Sequence, residues 1–214
     1  MRLQNGLQHI YELDIAQNID DYVITSEALV QRLDTGRFNR VAREKLLVYE
    51  DADGLNLSLY LDQKVLSHFD MHNPFERLDD RNVQEFCLVL EGISHFIYLV
   101  WNASFDRPVT LLEMELQAEV DKFIILMGCL EQQSETPARR QLMRLLFESN
   151  SYHADLSHEE LKRYRDATFY ARKYCQQLEE QYFGRGDRGG LLAELRRFYR
   201  LTRWEKMRRI HQPH

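Results

Sequence analysis

Glu91 and His95 are the two side chains whose types and spacing come closest to those of a chemical site. They are four residues apart, so they share one face if the segment is helical. Both lie in the most apolar stretch of the chain, between Phe86 and Trp101, where a charged group needs a partner because unpaired burial is costly. A cluster of carboxylates and histidine between helices is also how helical bundles hold metal ions.

Carboxylates that could complete such a site follow on the next predicted helix. In an antiparallel hairpin that turns near Asp106, positions 117–121 lie opposite Glu91 and His95. Three acidic residues lie near that level: Glu115, Glu119 and Asp121. We therefore take Glu91, His95 and Glu119 as candidate catalytic residues, and Glu91 and His95 as candidate metal ligands.

A buried pair without a metal is the alternative interpretation of these residues. The spacing is Glu-x-x-x-His rather than the Glu-x-x-His of di-iron bundles, no second copy exists, and there is no His-Glu-x-x-His zinc motif. A hydrogen bond from His95 or Lys122 to a buried Glu would satisfy both groups. We therefore predict no cofactor and keep metal or acid–base chemistry as the alternative. The substitution His95→Ala separates the two, because loss of a packed His destabilises the fold whereas loss of a functional His removes activity.

The C-terminal segment is the second candidate site. Between Leu191 and Ile210 it carries seven basic and two acidic residues, and its apolar residues recur at every third position. Each step of three falls about 60° short of a full turn, so the apolar stripe winds around a helix. The helix must therefore break near Thr202, or its second half must face another surface. Because Arg and Trp are enriched at interface hot spots, the candidate partner-binding residues are Arg196, Arg197, Arg200, Arg203, Trp204, Met207 and Arg208.

Charge is unevenly distributed along the chain. Residues 1–135 contain 11 Lys and Arg against 24 Asp and Glu, whereas residues 136–214 contain 17 against 10, within a net charge of −6. The two halves can attract each other in the fold, or the basic end can meet an anionic partner. Arg beside Trp and Tyr also suits nucleic acid, through phosphate pairing and base stacking, and such binding would weaken steeply with salt.

The absence of a specific catalytic motif favours a non-catalytic interaction or regulatory protein whose C-terminal helix binds another protein. A second copy of the chain is an alternative partner, because apolar residues at 161–182 recur in alternating steps of three and four, as in a coiled-coil seam. In-chain packing of that seam is the other interpretation. The alternative functions are nucleic-acid binding through the same C-terminal segment, and an enzyme or metal protein built on Glu91 and His95.

Residues 184–190 (Gly-Arg-Gly-Asp-Arg-Gly-Gly) are typical of a flexible, charged linker. Arg185 and Arg188 are candidate anion-binding residues, because the segment is glycine-rich and precedes a helix N-terminus, which favours anions. It lacks the Gly-Lys-Ser/Thr ending of a phosphate-binding loop and follows a helix rather than a strand. We therefore divide the chain into a core domain at 1–183, this linker, and a basic C-terminal helix at 191–214.

A β-hairpin near the N-terminus is the clearest strand signal. Lys45–Glu50 form one predicted strand, residues 51–54 a turn, and Leu55–Leu61 alternate leucine with polar residues as a half-buried strand does. Val65–Phe69 could add a third short strand, and residues 22–25 another. Because an isolated hairpin is marginal in water, its leucine face must pack on the helices that follow.

Helical spacing and capping patterns predict four to five helices after the hairpin. Their expected ranges are 82–102, about 111–132, about 137–148, about 158–182 and about 191–209. The first of these is apolar nearly all round, which favours a buried, central position. The predicted fold class is therefore α+β, mostly α, with the hairpin packed on a helical bundle.

Cysteine usage and apolar runs bear on the compartment. Three Cys, an odd number with no Cys-x-x-Cys pair, are typical of core thiols in a reducing compartment. The N-terminus lacks the apolar run of a secretory signal. The longest apolar stretch is interrupted by polar residues and is shorter than the roughly 20 residues of a spanning helix. We expect a cytoplasmic protein with no membrane partner.

Overall fold

The computed structural model describes residues 2–34, 42–52, 54–133, 136–148 and 156–212. Within these ranges the protein is α+β and mostly α, as predicted, with a small sheet near the N-terminus packed on a helical core. The strands are β1 (Val23–Ile24), β2 (Glu44–Asp51) and β3 (Gly54–Leu61). The helices are α1 (Arg2–Tyr11), α2 (Glu27–Leu33), α3 (Gln63–Met71), α4 (Val83–Ala103), α5 (Leu111–Gln132), α6 (Thr136–Phe147), α7 (His158–Gln181), α8 (Arg188–Arg200) and α9 (Arg203–His211).

β2 and β3 form the predicted antiparallel hairpin. Its register pairs Glu44 with Leu61 at one end and closes at Gly54, whose φ of 128° is open to glycine but strained for other residues. Asp53, in the predicted turn, lies outside the described residues. Leu61 is fully buried, whereas Leu55 near the turn is 38% exposed. The leucine face is therefore covered by the core only at the end where β2 begins.

The third strand is β1, and the prediction of a strand at Val65–Phe69 is wrong. β1 pairs in parallel with β3, at Leu59 and Tyr60. Val65–Phe69 lies instead within α3. Asp62 caps this helix, because its side chain accepts a hydrogen bond from the Lys64 amide at 2.7 Å. Val65 and Phe69 are four residues apart and so share one face of a helix. This spacing and the Asp62 cap outweigh the preference of valine for strands.

α4 and α5 form the predicted helical hairpin at the centre of the core, and α4 begins and ends within one residue of its expected range. Thr110 caps α5: its hydroxyl accepts from the Glu113 amide at 3.3 Å, and the Glu113 carboxylate accepts from the Thr110 amide at 3.0 Å. α4 is long and apolar enough to cross a bilayer, but 72% of that apolar window is buried inside the protein, as in a core helix.

The C-terminal segment is two helices rather than one. α8 ends at Arg200 and α9 begins at Arg203, so the chain breaks beside Thr202, which is the first of the two alternatives that the winding apolar stripe left open. α8 begins at Arg188, three residues earlier than expected, because the Asp187 side chain caps it by accepting from the Gly190 amide at 2.9 Å. Residues 188–190 of the predicted linker are therefore helical.

Both C-terminal helices contribute to the main hydrophobic core. Leu195, Phe198 and Ile210 are buried there together with residues of α4 and α5. α1, which the sequence patterns left unassigned, packs against α8 and α4 through Leu3 and Leu7, four residues apart. The division of the chain at 184–190 stays a prediction.

Gly92 sets the distance between the sheet and α4. A Cβ atom at this position would lie 2.7 Å from Leu59 Cδ1 and 2.9 Å from Glu44 Oε1. Both distances are shorter than real Cβ contacts. Because glycine has no Cβ atom, β2 and β3 can lie directly on α4. The close approach also carries the Glu44 carboxylate to the face of α4 that bears Glu91 and His95.

We predict that Gly92→Ala destabilises the protein by about 1–3 kcal/mol, the usual cost of overpacking a filled core. Gly128→Ala, near the C-terminal end of α5, is the matched control because the added Cβ would have no neighbouring atom within 4 Å. It should stabilise the protein by about 0.5–1 kcal/mol through helix propensity. Urea unfolding of both variants measures the two effects, and equal effects of the same sign would show that the sheet does not depend on Gly92.

Candidate metal centre

A buried cluster of charged side chains lies where α4, α5, β2 and α7 meet. We call it the core cluster, and its members are Glu44, Glu91, His95, Glu115, Glu119, Lys122 and Arg163. α4 supplies Glu91 and His95, one turn apart, and β2 supplies Glu44 over Gly92. The members on α5 recur at steps of four and three, so they lie on a single face of that helix.

Three members are arranged as metal ligands would be. Glu91, His95 and Glu115 each offer one ligand atom, and these atoms all lie within 4.8 Å of one another. Two ligand atoms about 2.1 Å from one ion lie at most roughly 4.2 Å apart, so a small inward movement would close the site. Two helices therefore present a nitrogen and two carboxylates to a common point.

Glu44 stands on the other side of the imidazole. His95 Nδ1 lies 4.0 Å from Glu44 Oε1, and His95 Nε2 lies 3.5 Å from Glu115 Oε2. The His95 and Glu44 side chains are only 9% and 10% exposed. Neither His95 Nε2 nor Glu44 Oε1 has a hydrogen-bond partner within the described part of the chain. Two buried polar atoms of the cluster thus face it without a partner.

Lys122 and Arg163 supply the positive charge that the carboxylates require. Lys122 Nζ donates to Glu91 Oε2 at 2.9 Å and to Glu119 Oε1 at 2.8 Å. Arg163, from α7, reaches within 3.8 Å of Glu115 Oε1, too far for a hydrogen bond. The Glu91–Lys122 pair is the hydrogen-bonded pair of the alternative interpretation, so the ion pair and the ligand-like trio occur side by side.

Burial and neighbouring charges shift the pKa values of His95 and Glu44. Burial lowers the pKa of His95, but the carboxylates of Glu115, Glu44 and Glu91 outweigh this effect and raise it to about 9. Burial raises the pKa of Glu44 to about 8, with the negative charges of Glu91 and Glu115 adding to it against His95 and Lys122. The surrounding carboxylates thus favour the protonated form of His95, and burial favours the protonated form of Glu44.

The remaining pKa shifts follow from Lys122. Burial alone would raise the pKa of Glu91, but Lys122 and His95 lower it below its ordinary value. Burial raises the pKa of Glu119, and Lys122 offsets this only in part. The pKa of Lys122 itself is raised despite burial, because Glu119 and Glu91 hold the ammonium in its charged form. Lys122 is a permanent cation within the core cluster.

Asp121, which the sequence placed beside Glu91 and His95, belongs to a second buried network. We call this the lysine network, and its members are Tyr11, Ser94, Tyr98, Gln117, Asp121 and Lys206. Asp121 accepts hydrogen bonds from Tyr11 at 2.5 Å and from Ser94 at 2.6 Å. Positions 117 and 121 are about half a turn from 115 and 119, so they face the opposite side of α5. Burial raises the pKa of Asp121 to about 6.

Lys206 enters the lysine network from α9 and is completely buried. Its Nζ donates to the Tyr98 hydroxyl and to Gln117 Oε1, each at 3.0 Å, and lies 4.5 Å from the Tyr98 ring centroid. Burial lowers the pKa of Lys206 to about 7, although Glu113 and Asp121 raise it in part. The C-terminal helix is therefore attached to α4 and α5 through an amine that is only partly charged at neutral pH.

The pKa of Lys206 predicts a pH-dependent stability. Between pH 7 and about 10, the unfolded chain binds a proton at Lys206 that the folded protein does not, so folding becomes more favourable as pH rises. The stability of the native chain relative to Lys206→Met should therefore increase by about 1.4 kcal/mol per pH unit in this window. Urea unfolding at pH 7, 8 and 9 measures the difference; a difference independent of pH would mean that Lys206 keeps its proton when buried.

The C-terminal candidate residues divide into two groups. Arg196 and Arg200 make contacts within the chain: Arg196 donates to the Ile10 carbonyl and pairs with Glu12, and Arg200 donates to the Glu12 carbonyl. Met207 packs against the hydrophobic core. These three residues stabilise the docking of the C-terminal helices onto α1 and the core.

The other four C-terminal candidates reach the surface to different degrees. Trp204 is 73% exposed, and the guanidinium of the half-buried Arg203 lies 5.3 Å from its ring centroid. Arg197 and Arg208 are exposed. Arg209, which was not among the candidates, forms two 2.8 Å hydrogen bonds with Glu194 between α9 and α8. The basic charge of this segment is thus partly used to join the two helices.

The two candidate anion-binding residues lie in and just before the first turn of α8. Arg188 lies in the first turn of α8 and pairs with Glu131 of α5 at 3.5 Å. Arg185 lies in a one-turn 3-10 helix before Gly186, whose φ is 67°. An arginine that faces a carboxylate on a neighbouring helix stabilises the turn between α7 and α8.

The seam in 161–182 packs within the chain over its central part. Ala171, Cys175 and Leu178 are buried, and α7 packs mainly against α5. Phe169, outside the seam, is 61% exposed. A homodimer through this helix stays a prediction, but the central seam residues that it would use are already buried in the core.

Two members of the core cluster escaped the sequence analysis. Glu44 lies on the strand before the hairpin turn and Arg163 on a helix far along the chain, so their distance in sequence from His95 gave no signal. Glu44 had one indirect signal, the glycine in the middle of an otherwise bulky, apolar helix. No protein-family model, no curated protein and no solved structure matches this chain.

Proposed function

We propose that the protein binds one divalent first-row metal ion in the core cluster, with Glu91, His95 and Glu115 as ligands. The observation that carries the proposal is the position of their ligand atoms, which lie within 4.8 Å of one another with His95 and Glu115 buried. His95 Nε2 supports it, because this buried nitrogen makes no hydrogen bond among the described residues and has only the Glu115 carboxylate at 3.5 Å beside it. Glu44 lies on the Nδ1 side of the imidazole, where its carboxylate would orient the ring rather than bind the ion.

The donor set selects a class of metal. One imidazole nitrogen and two carboxylates suit Zn²⁺, Fe²⁺ or Mn²⁺, whereas Cu⁺ prefers sulfur ligands and Ca²⁺ prefers oxygen alone. A divalent ion would displace the proton from His95, and the carboxylates of the core cluster would then outnumber the cations Lys122 and Arg163.

Burial indicates what the ion does. The ligand side chains come from α4 and α5, Glu44 from β2, and Arg163 of α7 lies against Glu115. Glu91 is the most exposed ligand, with 21% of its side chain open, and it marks the solvent side of the site. An ion held here would join the sheet to the helical hairpin, so we propose a structural or regulatory metal whose binding stabilises the fold.

The test is calorimetric titration of the purified, metal-stripped protein with Zn²⁺, together with thermal unfolding. We expect one equivalent to bind and, at a hundredfold excess over Kd, a stabilisation of about 2.7 kcal/mol. His95→Gln and Glu115→Gln should each weaken binding by at least about tenfold, because each removes a ligand.

Asp121→Asn is the matched control for these variants. It replaces a buried carboxylate on the same helix, but in the lysine network, and should leave Zn²⁺ affinity unchanged. A native protein that takes up no Zn²⁺, Fe²⁺ or Mn²⁺ would overturn the proposal. The core cluster would then be an ion-pair network that fixes the packing of β2 on α4 and α5.

A second candidate function is protein binding through α9, and the large exposure of Trp204 beside Arg203 favours it. Arg and Trp are the residues that most often dominate an interface. Because Arg196, Arg200 and Arg209 make contacts within the chain, we restrict this partner-binding surface to Arg203, Trp204 and Arg208. Nucleic acid is the alternative ligand of the same surface.

We predict that Trp204→Ser with Arg208→Glu abolishes binding of the native partner without unfolding the protein, since both residues are exposed. Phe169→Ser is the matched control, because it removes another exposed aromatic side chain from a different helix. Affinity purification of the three proteins measures the effect. Binding of mixed DNA or RNA that falls steeply with salt and is lost in the double variant would instead assign the surface to nucleic acid.

A further inference from the structure

Lys122 divides the carboxylates of the core cluster into two groups. Its ammonium lies between Glu91 and Glu119, at 2.9 and 2.8 Å, with only 9% of the side chain exposed. Glu91 also belongs to the ligand-like trio, together with His95 and Glu115. The Glu91 carboxylate is therefore shared by the ligand-like trio and by an ammonium ion.

The groups around the Lys122 ammonium resemble the ligands of a second cation site. Glu91 and Glu119 face it from opposite helices, and Glu119 Oε2 is a buried oxygen without a hydrogen-bond partner among the described residues. Cys87 precedes Glu91 by one turn and faces the same side of α4. Carboxylates that bridge two ions about 3.5–4 Å apart are the usual basis of two-metal sites.

We propose that the Lys122 ammonium occupies the second cation position of the core cluster, so that the protein binds a single metal ion where its carboxylates would otherwise bind two. This inference rests on the proposed metal function and concerns the number of ions. With Lys122 in place the core cluster holds a single ion, whereas a pair of ions would share Glu91 as a bridge.

The physical reason lies in charge and in coordination. An ammonium supplies one positive charge and three donors to carboxylate oxygens, and it has no vacant coordination position for a second ligand. It therefore satisfies Glu91 and Glu119 without taking part in ligand exchange. A side chain of similar length without charge would leave two facing carboxylates, which a divalent ion can satisfy.

Lys122→Met is the variant that tests this inference, with Co²⁺ alone as the probe. After equilibrium dialysis and elemental mass spectrometry, the native protein should hold one equivalent and Lys122→Met two. Lys206→Met is the matched control, because it removes a buried ammonium from the lysine network, and it should hold one equivalent. Lys122→Gln, which keeps a donor for one carboxylate, is the second variant in case Lys122→Met does not fold, and it too should hold two.

Mn²⁺ provides a second readout. Two Mn²⁺ ions that share Glu91 are exchange-coupled, so the six-line electron paramagnetic resonance spectrum of the singly loaded native protein should be lost in fully loaded Lys122→Met. One equivalent in the native protein and one in both Lys122 variants would overturn the inference and leave the metal function intact. No metal in the native protein would overturn the proposed function, whatever the Lys122 variants bind.

Discussion

The burial of four carboxylates between β2, α4 and α5 is the constraint on which this structure depends. Carboxylates enclosed in a protein are costly unless cations or hydrogen bonds compensate them. Lys122, His95 and Arg163 provide that compensation from three different elements. The core cluster therefore fixes the rotation of α4 against α5 and the approach of α7, because any other arrangement would separate these charges.

The two central helices carry polar side chains on opposite faces, and both faces are buried. On α5, Glu115 and Glu119 face the sheet side, whereas Gln117 and Asp121 face α1 and α9. An apolar helix would have no preferred rotation in such a position. Two separate polar networks, each needing its own partners, specify a single arrangement of the surrounding elements.

Small features of the chain decide whether these networks can form. Gly92 lets the sheet lie close enough for Glu44 to reach His95. The break at Thr202 turns α9 back so that Lys206 enters the lysine network and Arg209 meets Glu194. Most basic side chains of the C-terminal segment therefore make contacts within the chain. A smaller surface around Trp204 remains for recognition.

Patterns within one element were predictable from the sequence alone. The hairpin, the helices from α4 onward and the caps at Thr110 and Ser157 all depend on residues close in sequence, whose spacing reports which side is buried. Glu91 and His95 were found in this way, because both lie on one helix, and Glu115 and Glu119 because a short link makes the next helix its neighbour. α1 carried the same kind of signal in Leu3 and Leu7, but it was too short to be decisive.

Contacts between distant elements were decided by the tertiary structure. The choice between β1 and Val65–Phe69 as the third strand depended on a cap at Asp62 and on the partner of β3. The sequence did not place Glu44 and Arg163 in the core cluster, nor Asp121 and Lys206 in the lysine network. Their pKa shifts likewise depend on which charges meet in the folded core. Composition and periodicity determine which residues are buried, but the partner of a buried charge depends on distances that exist only once the chain has folded.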